Sequence, residues 1–269
     1  MALLSELLES IAPRREIFDV QLSDALAALA FLDTAESLRP RLGAVIDWTR
    51  ADQGHRDLLN EFLGQGSPDK VRAAIGIIVL GYGAFEELLL TIVEKCATSI
   101  AEETEFSDLT REFRDEHVYR TGRLLVSHKK KREGVTVIPD QLGRNLGICI
   151  DGAEQYSLNT LAFRFEAGVL HCDNIEKLIS RLGVDLKWDD VGRSIDLQHF
   201  LGEKGVRRCG KEACQRWDSL VSTRNVVSHR GGDTLAISMD ELISAVNFCR
   251  LFGHAVADAI TTTISSKYG

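Results

Sequence analysis

Residues 71–100 read VRAAIGIIVLGYGAFEELLLTIVEKCATSI, and this segment constrains the chain more than any other. Wound as a helix, it presents apolar side chains on nearly every face. Such a helix is enclosed by other helices or by a subunit interface. Its most apolar run, Ala73 to Phe85, is 13 residues long and is followed at once by Glu86 and Glu87. A membrane span needs ~20 residues, so the expectation is a buried central helix and no membrane segment. The turn GQGSP at Gly64–Pro68 precedes it, Asp69 is placed to cap it, and it should run to about Glu103. Gly76, Gly81 and Gly83 lower its helix propensity but admit close approach of a neighbouring backbone.

The flanking sequence also has helical spacing. Ile17, Phe18, Val20, Leu22, Leu26, Leu29 and Leu32 approximate one face over residues 15–33. The pattern continues over 35–63, where Pro40 and Gly54 suggest a kink or break. Residues 106–205 are more mixed: helix from Arg120 to Lys131, an extended or strand-like Gly134–Ile138, helices at Thr160–Phe165 and Asp173–Leu182, then a turn through LGVDLKWDDVG. Two further helices are expected at 211–229 and 239–266, with Gly231 and Gly232 between them. Most of residues 1–269 thus reads as helix, an all-α chain whose middle, 106–205, is the more mixed part.

The formal net charge is −8. That excludes a protein that coats nucleic acid generically, which needs excess positive charge; a local basic cleft is still allowed. Six cysteines at Cys96, Cys149, Cys172, Cys209, Cys214 and Cys249 are too sparse for a disulfide scaffold. Cys209 and Cys214 bracket four residues without a second tight pair, so no metal site is expected and the cysteines read as reduced and mostly buried. The N-terminus lacks a basic stretch before its apolar residues, so it is not a signal peptide and a cytoplasmic location is expected. Trp48, Trp188 and Trp217 read as core residues.

The chemistry sits in STRNVVSHRGG, residues 222–232. Arg224 offers a planar, permanently charged fork for phosphate oxygens. His229 titrates near neutrality and can exchange a proton with a ribose 2′-hydroxyl. The amide of Asn225 can hold phosphate or sugar, and no metal or other cofactor is required. Five positions amount to about 140° around a helix, so Arg224 and His229 do not stack on one face. They can converge at a helix end or across a dimer axis. Spacing alone is weak: Arg123 and His128 repeat it, without the polar residue and with Lys129, Lys130, Lys131 and Arg132 following. That basic run, together with Arg207 and Arg208 beside the motif helix, is a candidate for RNA-backbone contact.

Arg224 to His229 resembles the RxxxxH motif of the HEPN superfamily, with the favoured polar residue present as Asn225. The upstream LGYGAFEELLLTIVEK is similar to the long helix preceding that motif. NTLAFRFEAG and IEKLISRLGVDL are similar to the RiboL-PSP and MAE-type branch. The resemblance implies a single all-α domain over 1–269, an antiparallel helical bundle with a mixed helical and loop insertion at 106–205, and a metal-independent endoribonuclease of toxin–antitoxin or phage-defence type. It also implies a homodimer with a composite cleft, and an antitoxin or other defence protein as a further partner. Arg224 would stabilise transition-state charge and His229 would act as acid, base or positioner. The acidic residue of the long helix would map to Glu86, or else to Glu87. The alternative is a non-catalytic module of the same fold that binds RNA, nucleotide or a partner protein, or a purely structural helical protein.

Overall fold

The computed structural model describes the backbone of residues 2–45, 70–127, 139–151, 156–230 and 237–269, and the side chains of 3–34, 75–127, 139–149, 156–226 and 237–269. Among the described residues ten α-helices follow in chain order: α1 (Ala2–Val45), α2 (Lys70–Glu103), α3 (Arg111–Ser127), α4 (Pro139–Asp151), α5 (Leu161–Arg164), α6 (Cys172–Ser180), α7 (Trp188–Val191), α8 (Ile195–Leu201), α9 (Val206–Arg230) and α10 (Met239–Tyr268). Among the described residues there is no strand, as an all-α reading requires.

Helix α1 buries Leu3, Leu7, Ile11, Phe18, Leu22, Ala25 and Leu29, a stripe at three- and four-residue steps that faces α2 and α10. It continues through Pro40, so of the kink or break suggested there the break does not occur. A proline removes one backbone hydrogen bond, and a long helix propagated from a packed stripe can tolerate that loss. Gly54, the Gly64–Pro68 turn and Trp48 lie outside the described residues.

Helix α2 is enclosed by α1, α9 and α10, and buries Phe85, Leu88, Ile92, Val93, Cys96 and Ile100. The 13-residue limit read from the sequence understates it. The helix Ile75–Glu103 is long and apolar enough to cross a membrane by length and composition, with mean hydropathy 1.8 in its most apolar window. In this fold that window is partly covered by the neighbouring helices, while Val79 and Leu80 stay exposed. The three glycines do not admit another backbone: Gly76 and Gly83 face open space, and Gly81 faces the side chains of Cys249 and Leu22. Close approach occurs elsewhere. A Cβ on Gly253 of α10 would sit 2.7 Å from the Phe18 ring, and one on Gly210 of α9 would sit 2.1 Å from the Trp188 carbonyl.

Helix α9 turns Cys209, Ala213, Trp217 and Val221 inward at four-residue steps. Trp217 packs on Phe85 and Phe252, with ring centroids at 4.2 and 5.0 Å. Helix α10 begins with a capping box: Ser238 Oγ accepts from the Glu241 amide, and the Glu241 carboxylate accepts from the Ser238 amide.

The region 106–205 packs into the same core through Leu109, Phe113, Phe163, Leu170, Ile175, Leu182 and Leu197. Its helices differ from the expected ones. Helix α3 starts at Arg111, because Phe113, His117, Thr121 and Leu124 form a buried four-residue-step stripe within a charged sequence. Pro139 opens α4, the position where its missing N–H costs least. The LKWDDVG turn contains the single-turn helix α7. Residues 128–138, including the strand-like Gly134–Ile138, lie outside the described residues, as do Gly231 and Gly232.

Cysteine usage also departs from expectation. Cys96, Cys149, Cys209 and Cys249 are buried thiols, but Cys172 at the start of α6 is joined to Cys214 of α9 as a disulfide, with Cα atoms 5.9 Å apart. Forty-two residues separate the pair, so no local spacing reveals it.

Candidate functional site

Tyr82 of α2 and Trp217 of α9 stack with centroids 6.1 Å apart and planes 10° from parallel. Both hold the same backbone unit of the segment before α6. The Leu170 amide donates to the Tyr82 hydroxyl at 2.9 Å, and Trp217 Nε1 donates to the Leu170 carbonyl at 2.6 Å. Counting on from Trp217 along α9, Val221 and Arg224 fall at i+4 and i+7, the same helix face. Arg224 therefore points back towards α2. Its guanidinium carbon lies 4.6 Å from the Tyr82 ring centroid, a cation–π contact.

Arg224 Nη1 donates to Asn225 Oδ1 at 3.0 Å, which limits how the fork rotates. Its Nε is buried and has no hydrogen-bond partner among the described residues. One turn beyond Tyr82 on α2 stands Glu86, half-buried. Burial pushes the Glu86 carboxyl above the usual carboxylate range; the nearby Arg224 guanidinium opposes that shift and Glu87 adds to it. Among the described residues none donates a hydrogen bond to Glu86. Burial likewise raises the Tyr82 phenol, with the Leu170 amide opposing.

Glu86 also borders an open hollow of ≈ 450 Å³ with Leu90, Arg164, Glu166, Ala167 and Gly168. Glu87 is committed elsewhere: Arg164 grips both its oxygens, at 3.2 and 3.0 Å, and reaches Glu94 at 3.0 Å. Glu86 and Glu87 thus separate by one step of the helix, the first towards Arg224 and the second towards Arg164. The hollow's rim is shaped by Arg181, 5% exposed, whose guanidinium donates to the carbonyls of Phe163, Phe165 and Glu166. Glu166 has a positive φ of 54° there, a conformation that Arg181 helps to hold.

The candidate residues fall into three groups. Arg224, Asn225 and Glu86 are gathered at the α2–α9 contact. His229 lies on the same continuous helix as Arg224, five residues on, so the angular separation of about 140° persists along α9; its side chain lies outside the described residues. Arg207 and Arg208 are on the first turn of the motif helix itself, exposed, about 24 Å along the axis from Arg224. They are not brought to the site. Lys129, Lys130, Lys131 and Arg132 lie outside the described residues. In the repeat of the spacing, Arg123 is bound to Glu166 through two hydrogen bonds, at 3.2 and 2.8 Å. Tyr82 and Arg164 escaped the sequence reading. Tyr82 is signalled only by standing one helical turn before Glu86, and Arg164 by nothing local.

Searches of curated proteins and of solved structures gave no significant match. A family model, RiboL-PSP-HEPN, matches residues 53–262. That span contains α2, α9 and the site between them, and covers well over half the chain. The chain therefore belongs to the RiboL-PSP-HEPN family of the HEPN superfamily.

Proposed function

We propose that the protein is a metal-independent endoribonuclease that cleaves RNA by attack of the 2′-hydroxyl on the adjacent phosphate. Family membership supports a nuclease or RNA-binding role. The observation that carries the finer reading is Arg224: its guanidinium rests on an aromatic ring, one Nη is tied to Asn225, and its buried Nε has no acceptor among the described residues. A phosphate oxygen supplies what such a fork lacks. As the transition state gains charge, a preorganised guanidinium stabilises it without reorganising. Asn225 retains its amide NH₂ for phosphate or sugar, His229 exchanges the proton, and Glu86 orients Arg224 by charge.

Arg224 and His229 diverge around α9, so the complete site is proposed to form between two copies. One copy's arginine and the other's histidine then face one phosphate. In this reading the protein is a cytoplasmic homodimer, an effector of toxin–antitoxin or phage-defence type whose RNA cleavage is held in check by a partner protein.

The test incubates purified protein with end-labelled RNA in excess EDTA, wild type beside His229→Ala and Arg224→Ala. Cleavage by wild type, lowered at least about a hundredfold in both variants, is the expected result. Absence of cleavage by folded, dimeric wild type overturns the nuclease reading in favour of a binding module. Equal cleavage by His229→Ala removes the histidine from the chemistry.

A further inference from the structure

Beside the disulfide, two more metal-ligating side chains converge. Cys214 and Asp218 are four residues apart on one face of α9. Cys172 is the first residue of α6, and its amide donates to Asp218 Oδ1 at 2.8 Å. The ligand atoms of Cys172, Cys214 and Asp218 all lie within 4.8 Å of one another. His171 brings Nδ1 to 3.3 Å from the same Asp218 oxygen. Two sulfurs and a carboxylate therefore surround one point, with the imidazole of His171 beside the carboxylate.

We infer that Cys172, Cys214 and Asp218 form a zinc site when the cysteine pair is reduced, with His171 turning in from beside Asp218 as the fourth ligand. The donor set selects the metal. Thiolates disfavour magnesium and calcium, and a mixed sulfur, nitrogen and oxygen tetrahedron suits Zn²⁺. Disulfide and zinc site are alternative states of the same two sulfurs. A dithiol reductant passes two electrons and two protons to the disulfide and becomes a disulfide itself; Zn²⁺ then displaces the two thiol protons and binds both thiolates.

The consequence is mechanical. Zinc would tie residues 171–172 to α9, next to Leu170, which Tyr82 and Trp217 hold. It would brace the layer on which Arg224 rests, about 9–15 Å along α9, without touching RNA. The inference is independent of the nuclease reading, and its readout is optical.

The experiment reduces the full-length protein with a phosphine under argon and titrates it with Co²⁺, followed by Zn²⁺. The expected result is one Co²⁺ per chain, with visible bands of tetrahedral cobalt, a near-ultraviolet thiolate band, and loss of both when Zn²⁺ is added. Cys172→Ser and Cys214→Ser should each weaken the thiolate band, and Asp218→Asn should lower Co²⁺ affinity at least about tenfold. Cys209→Ser should change nothing. Reduced wild type that shows no bands overturns the inference, leaving the pair a disulfide only. So does a full thiolate band that survives in both serine variants.

Discussion

Replacing Tyr82 separates the footing of Arg224 from the general stability of the core. Tyr82 has two roles that different substitutions remove. Its hydroxyl accepts the Leu170 amide, and its ring carries the Arg224 guanidinium at 4.6 Å. Tyr82→Phe deletes the hydroxyl and leaves a buried amide without a partner, a cost of about 1–3 kcal/mol in stability. The ring stays, so Arg224 keeps its support. Tyr82→Leu removes the ring as well. The cation–π contact is worth about 0.5–2 kcal/mol at a partly desolvated site. If that energy positions the arginine, its loss slows cleavage by about 2- to 30-fold at saturating RNA. Urea unfolding gives the stability of each variant. Cleavage of end-labelled RNA, well below each variant's melting temperature, gives the activity. The expected pattern is near-wild-type cleavage for Tyr82→Phe and loss for Tyr82→Leu, with both destabilised. Equal activity of Tyr82→Leu and wild type would refute the claim that the ring positions Arg224. Equal loss in both variants would shift the effect to the Leu170 segment.

Two further predictions concern the region that frames the hollow. His117 is 1% exposed, its Nε2 accepts the Asn159 amide at 3.0 Å, and burial lowers its pKa to about 4. The folded state resists its protonation while the unfolded chain binds a proton near the ordinary value of about 6.5. Its contribution is therefore complete above about pH 6.5 and is lost as pH falls towards 4, up to about 3 kcal/mol. His117→Phe should flatten the stability profile over that window relative to wild type, measured by urea midpoints; unchanged slopes would contradict it. Arg181→Leu orphans the carbonyls of Phe163, Phe165 and Glu166 and should cost about 3 kcal/mol or more. Arg181→Lys should recover only part, because an ammonium cannot span three acceptors with the same fork; full recovery by lysine would count against the geometric argument.

The sequence by itself determined the helices that carry continuous apolar spacing. Helix α2, α9 and α10 are legible because Phe85, Leu88 and Ile92, Trp217 and Val221, or Phe252 and Val256 recur at three- and four-residue steps, and solvent exclusion along one stripe is a local property. The motif around Arg224 and Asn225 was legible for a similar reason: its residues are adjacent in the chain. Tertiary structure alone decided the rest. Glu86 and Glu87 are neighbours with identical chemistry, and only the packing of α2 between α9 and the 161–168 segment turns one towards Arg224 and the other towards Arg164. Tyr82 became a platform because α9 crosses α2 where its ring lies. Cys172 met Cys214, and His171 met Asp218, across more than forty residues. Such pairings depend on how helices cross, and a periodicity within one helix carries no information about that angle.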